Sequence, residues 1–190
     1  MLNIPNFLTI MRIVGSISLP ILLLFDSKDT GCLIALIIFV SCSITDFLDG
    51  YLARSLNQSS DLGKMLDPIA DKLLVILVLS SIILVFGERY NYLLGIPSIL
   101  IITREILVSG IREYFGSTEE KFSVMKLSKL KTAMQMIAII FLLASQLTSF
   151  KTFYFLPLGL ICLWLAAGFA LYTGLVYIRR AIILLNEARK

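Results

Sequence analysis

Five aspartates stand in TDFLDGYLARSLNQSSDLGKMLDPIADK, from Thr45 to Lys72, and four of them are spaced as metal ligands would be. Asp46, Asp49, Gly50, Ala53 and Arg54 occupy positions i, i+3, i+4, i+7 and i+8, one continuous face of a helix. Gly63, Asp67 and Asp71 recur every four residues, again on one face. The polar turn SLNQSSDL between them lets two helices run antiparallel with those faces opposed. Carboxylates brought that close cannot all stay ionised without a cation. An oxygen-only donor set selects a hard divalent ion, Mg²⁺ or Mn²⁺, one or two in number. Arg54 lies one to two turns away, poorly placed as a ligand but well suited to clamp a phosphate. Gly50 beside it lets a substrate approach the backbone. Metal, guanidinium and a floor of small residues together suggest a diphosphate attacked in line at phosphorus. The attacking hydroxyl needs a base. The chain has no histidine, so a carboxylate is the candidate, and Asp71, deepest in its helix, is the expected one. For Asp61 and Lys64, in the turn, an ordinary salt bridge is a sufficient account.

The elements that position these residues follow from composition. Of 190 residues, 58% are hydrophobic and 16% charged, with a mean hydropathy of +0.91; soluble domains average about 45–50% apolar and about 25% charged. The expected fold is an all-α integral membrane protein, one catalytic domain over 1–190, with six transmembrane helices near 8–25, 31–54, 66–86, 92–115, 132–148 and 153–178. The uncharged run Gly31–Ile44 is too short to span. At about 1.5 Å per residue it covers roughly 21 Å of a core about 30 Å thick. The helix must therefore continue through Asp46 and Asp49 towards Arg54, and the next must begin near Leu66. The aspartates then lie at membrane depth, where each charge costs at least about 2.5–3.5 kcal/mol unless it lines a wet or metal-filled cavity.

Of the 17 lysines and arginines, only Lys28, Arg89 and Lys151 fall on the face opposite the termini. The basic face, carrying both termini and the aspartates, is expected to be cytoplasmic. The net charge of +4 then reflects topology and contact with anionic lipid, not nucleic acid. The opening MLNIPNFLTIMR has neither a basic leader nor a small-residue cleavage site, so the first helix is expected to be retained. Cys32, Cys42 and Cys162 sit in apolar stretches without metal-type spacing and read as buried small hydrophobes. A divalent-cation transporter would also place aspartates in the membrane. It would favour carboxylates near the midplane and an internal repeat, and Arg54 would oppose cation passage.

The eight positions Asp46, Asp49, Gly50, Ala53, Arg54, Gly63, Asp67 and Asp71 reproduce D-x2-D-G-x2-A-R-x8-G-x3-D-x3-D without departure. In this the chain resembles the CDP-alcohol phosphatidyltransferase family. The resemblance implies a homodimer in the cell membrane, its active site facing the cytoplasm, in which an alcohol displaces CMP from a CDP-linked lipid. It implies that Asp46, Asp49 and Asp67 bind two divalent ions, and that Asp71 acts as base and touches the second. It implies that Gly50, Arg54 and a loop hydroxyl, Ser60, hold the nucleotide diphosphate. NIPNFLTIMR (Asn3–Arg12), REILVSGIRE (Arg104–Glu113) and KLSKLKTAMQ (Lys126–Gln135) look like the branch of that family using CDP-diacylglycerol and glycerol 3-phosphate in phospholipid synthesis. On that likeness Asn6 and Thr9 are nucleotide contacts; an interfacial cap is the alternative. Acceptors such as inositol phosphate, serine or phosphatidylglycerol remain open within the family. A phosphorylated acceptor needs cations besides Arg54, and Arg104, Arg112, Lys129 and Lys131 are the candidates. Against them stand snorkelling of Arg112 and Lys126 to the interface and pairing of Arg104 with a neighbouring carboxylate such as Glu105 on another helix.

Overall fold

Apolar runs this long must satisfy their backbone polar groups internally once in lipid, which leaves helix as the available spanning form here. A computed structural model describes residues 4–27, 29–55, 61–115, 126–147 and 154–187, without the side chains of 4, 5, 46–55, 61, 62, 64, 89 and 126–129. The described residues form α1 (Ile4–Phe25), α2 (Asp29–Ser55), α3 (Asp61–Phe115), α4 (Lys126–Ala144) and α5 (Phe155–Glu187), with no strand among them. Four stretches are long and apolar enough to cross a membrane: Asn6–Phe25, Met65–Glu88, Tyr90–Phe115 and Phe155–Glu187. Asp29–Thr45 and Leu130–Ala144 are shorter apolar helices.

Two of the four long stretches belong to α3, which folds back on itself. Asn91 breaks the helix with φ 38° and ψ −123°, a positive φ that asparagine tolerates better than most residues. Lys72 Nζ donates to Ser109 Oγ, 37 residues away. In a straight helix those residues would stand about 55 Å apart, so the chain reverses between a first arm, Met65–Glu88, and a second, Tyr90–Phe115.

The side-chain pairings fix the direction of each helix. Thr9 meets Asp67 and Arg12 meets Asp71, so α1 and the first arm run parallel. Trp164 Nε1 donates to the Leu93 carbonyl and Arg112 to the Tyr177 hydroxyl, so α5 runs parallel to the second arm. Lys131, near the start of α4, meets Glu105, near the end of the second arm. The α2 helix starts four residues after α1 ends and packs beside it, and so returns towards the same end. The starts of α1, α3 and α4 and the ends of the second arm and α5 thus share one polar end of the bundle.

Below that end the interior is apolar: Leu19, Phe39, Leu79, Ile101, Ile139 and Leu163 are all fully buried. The outside is apolar too, with Ile17, Leu24, Ile99 and Leu175 each at least half exposed, as expected of a surface facing lipid. Close helix approach in lipid relies on small residues. Gly159 on α5 is such a contact, since a Cβ there would lie 3.2 Å from the backbone nitrogen of Leu142 on α4. Gly159→Val is expected to cost about 1–3 kcal/mol through overpacking. It should appear as a fall of several degrees in unfolding temperature in detergent.

Candidate active site

The first half of the site is built where α1 lies against the first arm of α3. Asn6, Thr9 and Arg12 are spaced i, i+3 and i+6 on α1, and that face is turned inward: they are 2%, 1% and 1% exposed. Thr9 Oγ1 donates to Asp67 Oδ1 at 2.6 Å. Arg12 Nη1 donates to Asp71 Oδ1 at 2.7 Å. Both acceptors lie on one face of the first arm, one turn apart, and both are fixed in rotation from the same neighbouring helix. The Arg12 side chain is wholly buried while that of Asp71 is 48% exposed. The guanidinium therefore stands behind the carboxylate, which is presented to whatever enters from the polar end.

Arg12 is the residue here that sequence reasoning left out of the site, counting it with the basic face and within the NIPNFLTIMR stretch. Its spacing from Asn6 and Thr9 was the available signal. Arg12→Met is expected to lower turnover about 10–100-fold, the loss of one charge-assisted contact that orients Asp71. The unfolding temperature should change less than for a fully buried pair, because the stranded Asp71 is half exposed. Turnover and melting of the same preparation check this.

The backbone of α2 stays helical through Asp46, Asp49, Gly50, Ala53 and Arg54, as the shortness of its apolar run required. The side chains of those five residues, and the whole of Ser60, lie outside the described residues. Among the described residues no group of three acidic, cysteine or histidine side chains converges. Asp67 and Asp71 nonetheless supply the donor chemistry that a hard divalent ion takes, anionic oxygens at one-turn spacing.

The second half is a basic cluster where the second arm meets α4 and α5. Arg104 is 7% exposed and Lys131 2%. Lys131 lies inside α4, which begins at Lys126, not at the helix entry as the sequence suggested. Its burial is tolerated because Glu105 accepts a hydrogen bond from it. Glu105 also meets Arg104 at 3.3 Å. That carboxylate is Arg104's own neighbour on one helix, and the pairing between helices is with Lys131. The Arg104 guanidinium lies 5.8 Å from the ring centre of Tyr177 on α5. Its Nε and Nη2 are buried with no partner among the described residues. Arg112 is exposed yet reaches Tyr177 twice, donating to the hydroxyl at 2.6 Å and lying over the ring at 5.2 Å. Gly174 leaves room for the Arg104 stem, whose Cγ would lie 3.2 Å from a Cβ there. The Lys129 side chain is outside the described residues.

The described helices form an apolar bundle with carboxylates and guanidiniums gathered at one end. Residues 2–172 match the CDP-alcohol phosphatidyltransferase family, and the chain belongs to it. It is similar to proteins named CDP-diacylglycerol–glycerol-3-phosphate 3-phosphatidyltransferase. The one from Rickettsia typhi is 41% identical over 179 residues, covering 94% of this chain and 97% of that one. The one from Pseudomonas fluorescens is 40% identical over 183 residues, 95% and 90% of the two chains. A third, numbered 2 in Arabidopsis thaliana, is 38% identical over 190 residues, 94% and 79%.

Proposed function

We propose that the protein transfers the phosphatidyl group of CDP-diacylglycerol to glycerol 3-phosphate, giving phosphatidylglycerophosphate and CMP. The names of the relatives agree with this, and one structural observation carries it. The Thr9/Asp67 and Arg12/Asp71 pairs and the Arg104/Lys131/Arg112 cluster lie at the same end of the bundle. A diphosphate and a phosphorylated alcohol could meet there.

In this reading Asp46, Asp49, Asp67 and Asp71 hold two divalent ions, Mg²⁺ or Mn²⁺. Bound there, such ions supply charge neutralisation of the diphosphate and of the departing phosphate. Asn6, Thr9, Gly50, Arg54 and Ser60 hold the nucleotide diphosphate. Arg104, Arg112, Lys129 and Lys131 hold the acceptor's phosphate, with planar guanidiniums suited to phosphate oxygens. Asp71 takes the proton of the attacking hydroxyl as its oxygen bonds to the lipid-bearing phosphorus and the bond from that phosphorus to CMP breaks. Arg12 keeps Asp71 rotated for this. The whole chain acts as one domain of six spans, a homodimer of the cell membrane with both termini and the site on the cytoplasmic face. Clustered Lys and Arg on that face favour the orientation.

Purified protein in detergent, given CDP-diacylglycerol and glycerol 3-phosphate, should release CMP only when Mg²⁺ or Mn²⁺ is supplied. Undiminished release after exhaustive chelation would contradict the metal assignment. Divalent-ion flux through reconstituted vesicles, without CMP release, would favour transport.

A further inference from the structure

Gln135 on α4 is 1% exposed, and neither its Oε1 nor its Nε2 has a hydrogen-bond partner among the described residues. Burying an amide unpartnered is costly, and native interiors rarely leave one so. Its place suggests what repays the cost. Gln135 follows Lys131 by four residues, hence on the same face of α4 and about 6 Å further along the helix. Lys131 is joined through Glu105 to Arg104, whose Nε and Nη2 are likewise buried and unpartnered. Through the Lys131–Glu105–Arg104 link, two polar side chains from α3 and α4 thus bring four unsatisfied atoms to one region of the bundle, where Gly174 leaves room for the Arg104 stem.

The two residues differ in what they accept. Arg104 offers only donors, which suit an anionic oxygen. Gln135 offers a donor and an acceptor. A phosphate would use the donor and face the carbonyl oxygen with like charge. A hydroxyl, both donor and acceptor, satisfies the two ends together. We propose that Gln135 is a specificity-determining residue that reads the bystander hydroxyl of a polyol phosphate. That hydroxyl is the one that does not attack, and the acceptor's phosphate rests on Arg104. This rests on the acceptor assignment given above and adds to it the group that distinguishes glycerol 3-phosphate from a plain hydroxyalkyl phosphate.

The test compares kcat/KM for glycerol 3-phosphate with that for 3-hydroxypropyl phosphate, which keeps the attacking primary hydroxyl and the phosphate but lacks the bystander hydroxyl. The wild type should prefer glycerol 3-phosphate by about 10–100-fold, the range for one buried hydrogen-bonding group left unmatched. Gln135→Met keeps the side chain's length and removes the unsatisfied amide. It should melt at or above the wild-type temperature and reduce the preference to within about threefold. Equal use of the two acceptors by the wild type would overturn the proposal without recourse to any variant. So would a Gln135→Met protein that melts lower and keeps the full preference, since the amide would then serve packing. If the wild type used neither phosphate while transferring to another alcohol, the acceptor assignment itself would fail, and this proposal with it.

Discussion

Asp71→Asn is expected to lower CMP release from CDP-diacylglycerol by about 10³–10⁴-fold, the upper range for loss of a positioned general base. The substitution keeps the side chain's size and its capacity to accept from Arg12 through Oδ1, so the α1–α3 contact should survive. It removes the basicity and the negative charge together. The substitution also takes the counter-charge from the wholly buried Arg12, and a buried charge left uncompensated destabilises. The unfolding temperature in detergent should therefore fall by a few degrees while the protein stays folded. Initial rates of CMP release, with melting of the same preparation, decide the matter. Retention of even a tenth of the activity would remove Asp71 from the role of base.

The second large effect is at Arg104. Arg104→Met should raise KM for glycerol 3-phosphate by about 10–100-fold, the loss of one or two charge-assisted hydrogen bonds. KM for CDP-diacylglycerol should stay within about twofold. The prediction follows from burial: a guanidinium 7% exposed, with two nitrogens unpartnered among the described residues, stands beside Lys131 and over Tyr177. Glu105 keeps its hydrogen bond from Lys131 when the guanidinium is removed, so no buried carboxylate is stranded and the folded protein should persist. Arg104→Lys should fail to restore affinity, because an ammonium lacks the planar donor pair of a guanidinium. Steady-state titration of each substrate against a saturating level of the other separates the two KM values. Equal rises in both would argue that Arg104 holds the bundle together and does not read the acceptor.

What could be read from the sequence was what depends on local pattern. Long apolar runs announced helices, and the break expected between residues 86 and 92 contains Asn91, where α3 reverses. The shortness of Gly31–Ile44 required α2 to continue past Asp46, and its backbone is helical to Ser55. What could not be read was contact between residues far apart in the chain. Arg12 and Asp71 are separated by 59 positions, and although its spacing puts Arg12 on the face of Asn6 and Thr9, nothing local names the carboxylate it meets. Tyr177 lies in an apolar stretch and reads as packing until α5 is laid along the second arm, bringing it to Arg112. Gln135 differs, since its four-residue spacing from Lys131 was visible. Its significance required knowing that both of its polar atoms are buried without partners among the described residues.

The central claim is that this end of the bundle joins a CDP-linked lipid to a phosphorylated three-carbon alcohol. The most direct measurement offers purified enzyme, CDP-diacylglycerol and Mg²⁺ four acceptors separately: glycerol 3-phosphate, inositol phosphate, serine and phosphatidylglycerol. CMP release and the lipid product are followed by mass spectrometry. Phosphatidylglycerophosphate with stoichiometric CMP from glycerol 3-phosphate, and no lipid product from the others, is the predicted result. A lipid product from serine or phosphatidylglycerol, with none from glycerol 3-phosphate, would contradict it and leave the Arg104 and Lys131 cluster without its proposed ligand.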